Sequence, residues 1–104
     1  MYNSKDLIRN IKQIVMKAEP NAKVILFGSK ARGDSNESSD WDVLVLLDKN
    51  KIEYVDFENI TYPLYELGWN VGELISTKLY TNDEWEKRSI TPFYKSIQQE
   101  GLVL

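Results

Sequence analysis

A chain of 104 residues makes one ordinary domain, residues 1–104, because folding at this size hides roughly two-thirds of the unfolded surface around a single core. Its 42% hydrophobic and 12% aromatic content can furnish that core, which argues against a disordered chain. Thirteen basic against 16 acidic residues leave a net charge of −3. No basic stripe is present to displace counterions from phosphates, so long polynucleotides are disfavoured and small nucleotides remain as ligands.

The chain has neither cysteine nor histidine. Disulfides, thiolate metal sites and thiol nucleophiles are excluded, as are the usual zinc ligand and the usual general base near neutral pH. Any catalysis therefore runs on carboxylates, hydroxyls, Lys, Arg, backbone dipoles and a hard metal such as magnesium. Residues 1–6 are polar, and no apolar run approaches the roughly 20 residues that cross a bilayer. A cytoplasmic protein with no membrane contact is expected.

In chain order, Leu7, Ile8, Ile11, Ile14, Val15 and Ala18 recur at helical spacing, with Asn3 or Ser4 as cap and Glu19-Pro20-Asn21 as stop. Lys23 to Phe27 reads as a strand buried on both faces. Residues 28–39 form a polar connection that opens with a helical turn, and residues 43–47 make a second buried strand. Residues 52–67 are helical, with a kink or break at Pro63. Residues 71–80 alternate loosely and predict a third strand. Asn82-Asp83-Glu84 starts a short acidic helix containing Trp85. Thr91-Pro92 starts another, with Phe93, Tyr94 and Ile97 inward and Gly101 at its end. Residues 102–104 predict a terminal strand. Strands joined through helices indicate an α/β or α+β sheet domain.

One stretch stands apart: Gly28-Ser29-Lys30-Ala31-Arg32-Gly33-Asp34, then Ser39-Asp40-Trp41-Asp42. A glycine directly after a buried strand lets the backbone turn sharply and a ligand come close. Free N–H groups of the following turn, with the Ser29 hydroxyl, make an anion site to which Lys30 and Arg32 add charge. Asp40 and Asp42 project from one face at the start of a strand, and Trp41 from the other. Two carboxylates side by side favour a magnesium ion that completes its shell with water and substrate phosphates. If the two strands are neighbours, these halves meet at one sheet edge as a site for a metal triphosphate.

This joint pattern resembles the signature of minimal nucleotidyltransferases of the DNA polymerase β-like superfamily. The order of elements and the tail from Tyr80 to Trp85, Thr91 to Tyr94 and Glu100-Gly101 extend the resemblance over most of the chain. It implies an α+β nucleotidyltransferase fold, with a small mixed sheet and helices mainly on one face. It also implies that Gly28 and Ser29 hold the β- and γ-phosphates while Asp40 and Asp42 bind two magnesium ions. A third carboxylate on a neighbouring strand completes the family's pattern. Glu73 is the candidate by position, although the expected Asp is absent there. Asp34, Glu37 and Asp48 read as turn or loop residues.

The expectation is transfer of a nucleoside monophosphate, AMP from ATP, to a hydroxyl. Stand-alone members of the group are often encoded beside a HEPN-domain toxin, which the resemblance makes the expected acceptor and partner in a hetero-oligomer. A non-catalytic antitoxin that binds its partner is the first alternative. A homodimeric small-molecule transferase of the aminoglycoside-modifying type is the second. Among the aromatic residues, Trp69, Trp85, Phe93 and Tyr94 read mainly as packing, with one cluster available for docking a partner.

Overall fold

The computed structural model describes residues 3–34 and 39–104 of the chain; Glu37 lies outside them. The first helix, α1 (Ser4–Ala18), is capped by Asn3, whose side chain accepts the Lys5 N–H at 2.8 Å. It buries Leu7, Ile11 and Val15, a spacing of four residues that keeps one face on the sheet. Strand β1 (Lys23–Phe27) follows, then the one-turn helix α2 (Ser29–Arg32) and strand β2 (Trp41–Leu47).

β1 and β2 are antiparallel neighbours, with Phe27 opposite Asp42 and Lys23 opposite Leu46. Strand β3 (Ile75–Thr81) lies parallel to β2 on its other side, and β4 (Leu102–Val103) pairs antiparallel with β1. The sheet order is β3-β2-β1-β4. β2 is therefore internal, which explains why residues 43–47 are apolar on both faces.

Alternation along the strands divides the core in two. Val24, Leu26, Trp41, Val43, Val45 and Leu47 face α1 and the long helical segment before β3. Ile25, Leu44 and Leu46 face Trp85 and Ile97 on two shorter helices, α5 (Asn82–Glu86) and α6 (Pro92–Glu100). Trp85 stacks among Tyr80, Phe93 and Tyr94, with ring centroids 4.9 to 5.6 Å apart. Both short helices start where expected, α6 with Thr91 accepting the Tyr94 N–H; α5 is held, beyond what was expected, by a reciprocal capping box of Thr81 and Glu84. The longer helices all lie on one face of this mixed α+β sheet.

Two boundaries differ from expectation. The helical run after β2 is continuous from α3 (Tyr54–Asp56) through a π-helical turn (Phe57–Thr61) into α4 (Tyr62–Val71). Pro63 has no N–H to give and its ring crowds the carbonyl four residues back, so the widened turn ahead of it takes the place of a break. The segment 71–80 is not strand throughout. α4 runs to Val71 and closes on Gly72 at φ 76°, with the Gly72 N–H donating to the Trp69 carbonyl and the Glu73 N–H to the Gly68 carbonyl. That pair of bonds is a Schellman ending, and the glycine was its sequence signal.

The start of this helical run is held by a buried carboxylate. Asp56 is 3% exposed, accepts the Glu53 N–H at 2.8 Å, and pairs with Lys49 Nζ at 3.1 Å. Leu44, fully buried on β2, reports the second half of the core. Leu44→Ala is expected to cost about 2–5 kcal/mol in urea unfolding with an unchanged denaturant slope.

Candidate functional site

Gly28 ends β1 with φ 76° and ψ −160°, a region open essentially to glycine alone. A Cβ built there would overlap the Asp42 carboxylate. The missing side chain is thus what allows the first β-turn-helix junction and the start of β2 to approach. The chain then makes a single turn: the Ala31 and Arg32 N–H groups both donate to the Gly28 carbonyl at 3.1 Å. No side chain caps this turn, and its first N–H groups, on Ser29 and Lys30, have no partner within it.

Asp42 stands opposite Phe27 in the ladder, so it lies directly beside the Gly28 turn. Asp40 precedes β2 by one residue, at the alternation that shares Asp42's face. The Asp42 carboxyl holds its proton above the usual aspartate range. Burial is the main cause and the neighbouring Asp40 charge the second, with Lys78 and Arg32 pulling the other way. Two repelling carboxylates, one of them half-buried, form a donor set that suits a hard divalent cation.

The other predicted residues go elsewhere. Lys30 places its ammonium 5.0 Å from the centre of the Trp41 ring, on the sheet face away from Asp42. Arg32 pairs with Asp34 at 3.2 Å and Glu100 at 3.4 Å, and these bonds, Asp34 first, hold its proton more tightly. Glu73 lies just ahead of β3, next to Leu74, whose carbonyl accepts the Trp41 N–H at 2.9 Å. It lines a groove with Tyr65, Trp69, Gly72 and Leu74. The register partner of Asp42 on β3 is Ser76. Among the described residues, no cluster of three His, Cys, Asp or Glu side chains forms a metal site.

The structure therefore brings Gly28, Ser29, Asp40 and Asp42 to one sheet edge, with Glu73 one strand away and Lys30 and Arg32 held in other contacts. Sequence reasoning missed Ser76 and Lys78, which share Asp42's face of the sheet. Alternation along β3 was the available signal, but it needed the β2–β3 register, which no local pattern supplies.

Two outcomes follow from this packing. Gly28→Ala is expected to lower stability by about 1–3 kcal/mol, read by chemical unfolding, because alanine is strained at this backbone position. For Asp42, a raised native pKa means that its favourable contribution is complete below the ordinary aspartate range and is lost as pH rises through the native value. Asp42→Asn in metal-free buffer is thus expected to be more stable than the parent chain at pH 7. That advantage should vanish when unfolding is repeated below the ordinary aspartate range.

A family model described as a nucleotidyltransferase domain matches residues 8–102. A Methanocaldococcus jannaschii protein named "putative protein adenylyltransferase" is 34% identical over 82 residues, 79% of this chain and 76% of that protein. A chain in a crystal structure of a toxin–antitoxin with AMP-PNP superposes with a TM-score of 0.61 at 18% identity, covering 91% of this chain and 69% of that one. At that identity the likeness concerns the fold.

Proposed function

This chain belongs to the nucleotidyltransferase domain family, and from that premise we propose that it transfers AMP from ATP to a hydroxyl of a protein partner. The observation that carries the reading is the contact of Gly28 with Asp42, which joins a phosphate-sized turn to a paired-carboxylate edge. The protein adenylyltransferase name of the archaeal relative supports AMP and a protein acceptor, and the fold neighbour's toxin–antitoxin context supports a toxin partner. That the toxin is of the HEPN type rests on the family resemblance of the sequence alone.

In this reading the backbone N–H groups of Ser29 and Lys30 and the Ser29 hydroxyl bind the β- and γ-phosphates. Asp40 and Asp42 are the residues that would hold magnesium. A metal held there would supply charge neutralisation for the triphosphate and a lowered pKa for an oxygen nucleophile. Lys78, on Asp42's face of the sheet, balances the local negative charge before substrate arrives. Glu73 borders the acceptor side as the third carboxylate. The acceptor oxygen forms a bond to the α-phosphorus, the α–β phosphoanhydride bond breaks, pyrophosphate leaves and the hydroxyl proton passes to solvent.

A second reading, nucleotide binding without transfer, is favoured by one observation: among the described residues no third carboxylate clusters with Asp40 and Asp42. ATP labelled in the α-phosphate, incubated with magnesium and the protein encoded by the adjacent gene, separates the two. Label is expected on the adjacent gene's product, with at least about a hundredfold loss in Asp40→Asn and Asp42→Asn, since removing a metal ligand removes transition-state charge stabilisation. Label absent with the parent chain, while neutralisation of that product survives both substitutions, would favour binding alone.

A further inference from the structure

The helical run that crosses from β2 to β3 carries an exposed aromatic stripe. Tyr62, Tyr65 and Trp69 follow one another at three- and four-residue spacing and are 52%, 53% and 74% exposed. Rings of this size standing in water cost hydrophobic free energy, and a helix normally turns them inward. They line two adjoining grooves of about 480 and 450 Å³ that share Tyr65 and Trp69. The first groove reaches Gly72, Glu73 and Leu74. Leu74 is bonded through its carbonyl to Trp41, the residue between Asp40 and Asp42. The stripe thus ends at the carboxylate edge.

Its charge is one-sided. From residue 52 to residue 77 the chain has five acidic residues, Glu53, Asp56, Glu58, Glu66 and Glu73, and no lysine or arginine. Lys49 neutralises part of this by pairing with Glu53 and Asp56. Glu66 lines a groove with the three rings, and Glu58 lies one turn before Tyr62 in a neighbouring groove that it shares with Lys17; both glutamates are exposed and neither has an ion pair among the described residues. A second copy docked symmetrically would set these glutamates against themselves, and a nucleic-acid backbone or an anionic bilayer would be repelled. Charge complementarity selects a protein surface with an apolar centre and a rim of Lys or Arg.

We propose that the Tyr62–Tyr65–Trp69 stripe is the docking surface for the acceptor protein, which meets it with a basic-rimmed apolar face and so presents its hydroxyl at the Asp40–Asp42 edge. The proposal rests on the transferase reading for the word acceptor, but the docking itself does not need catalysis.

Trp69 is the exposed tryptophan, whereas Trp41 and Trp85 are 4% and 2% exposed, so its emission reports occupancy of the groove. The probes are two amphipathic helical peptides with the same Leu/Phe face, one flanked by Lys and the other by Glu. The Lys-flanked peptide is expected to shift tryptophan emission to the blue and to bind at least about tenfold tighter than its counterpart, with the preference fading as salt rises. Trp69→Ala and the double variant Glu58→Lys with Glu66→Lys should each weaken its binding about tenfold or more, followed by calorimetry, with circular dichroism and Tm unchanged. Asp40→Asn combined with Asp42→Asn should bind the peptide as the parent does, so a failed transferase reading leaves this result readable. Equal binding of the two peptides, no binding of either, or full binding by Trp69→Ala would overturn the proposal. So would sedimentation as a dimer that Trp69→Ala dissolves, because the occupant would then be a second copy.

Discussion

The constraint on which this molecule turns is the fit of one absent side chain against one charged side chain. Gly28 leaves room for the Asp42 carboxylate, and only glycine sits comfortably at its backbone angles. Around that contact the antiparallel β1–β2 pair is set so that the end of one strand meets the beginning of the other. Asp40 is then brought beside Asp42, and two negative charges are held closer than water alone would favour. The cost falls on a domain with one modest core. On the proposed reading the return is an edge suited to a cation and a phosphate, in line with the tendency of functional sites to be less stable than they could be.

The rest of the fold serves this edge. Strand β2 is buried on both faces and lies between β1 and β3, so the carboxylates at its start are mounted on the most constrained strand of the sheet. The helical run from Tyr54 to Val71 carries the chain over the sheet and returns it beside Asp42 as a parallel strand. The π-helical turn ahead of Pro63 shifts the phase of that run, so rings beyond it need not follow the regular helical face set before it. Beyond that turn its outer surface combines three large exposed rings, Tyr62, Tyr65 and Trp69, with an acidic rim, and it opens on the same edge.

Much of this was legible in the residues. The strand patterns at Lys23–Phe27 and 43–47 and the caps at Asn3 and Thr91 follow from local spacing, because short-range physics decides each of them; the nearness of Gly28 to the aspartates needed in addition that β1 and β2 pair. What escaped was decided by contacts distant in sequence. Val71 looked like strand, yet the Schellman ending at Gly72 and the packing of Gly68 against Ile75 kept it helical. Arg32 looked free to meet a phosphate, but Glu100, 68 residues away, helps to hold it. Lys78 entered the site only through the pairing of β3 with β2. The stripe at Tyr62, Tyr65 and Trp69 was hidden for a different reason: aromatic residues in a helix read as core until the packing shows which side they face.

On the proposed reading, Asp40 and Asp42 act together with the Gly28 turn as one metal–nucleotide site. Calorimetric titration with AMP-PNP, with and without magnesium, tests it without requiring an acceptor. Binding is expected to need magnesium and to weaken by at least about tenfold in Asp40→Asn or Asp42→Asn chains that remain folded. Equal affinity in the presence and absence of magnesium, or undiminished affinity in both variants, would contradict it.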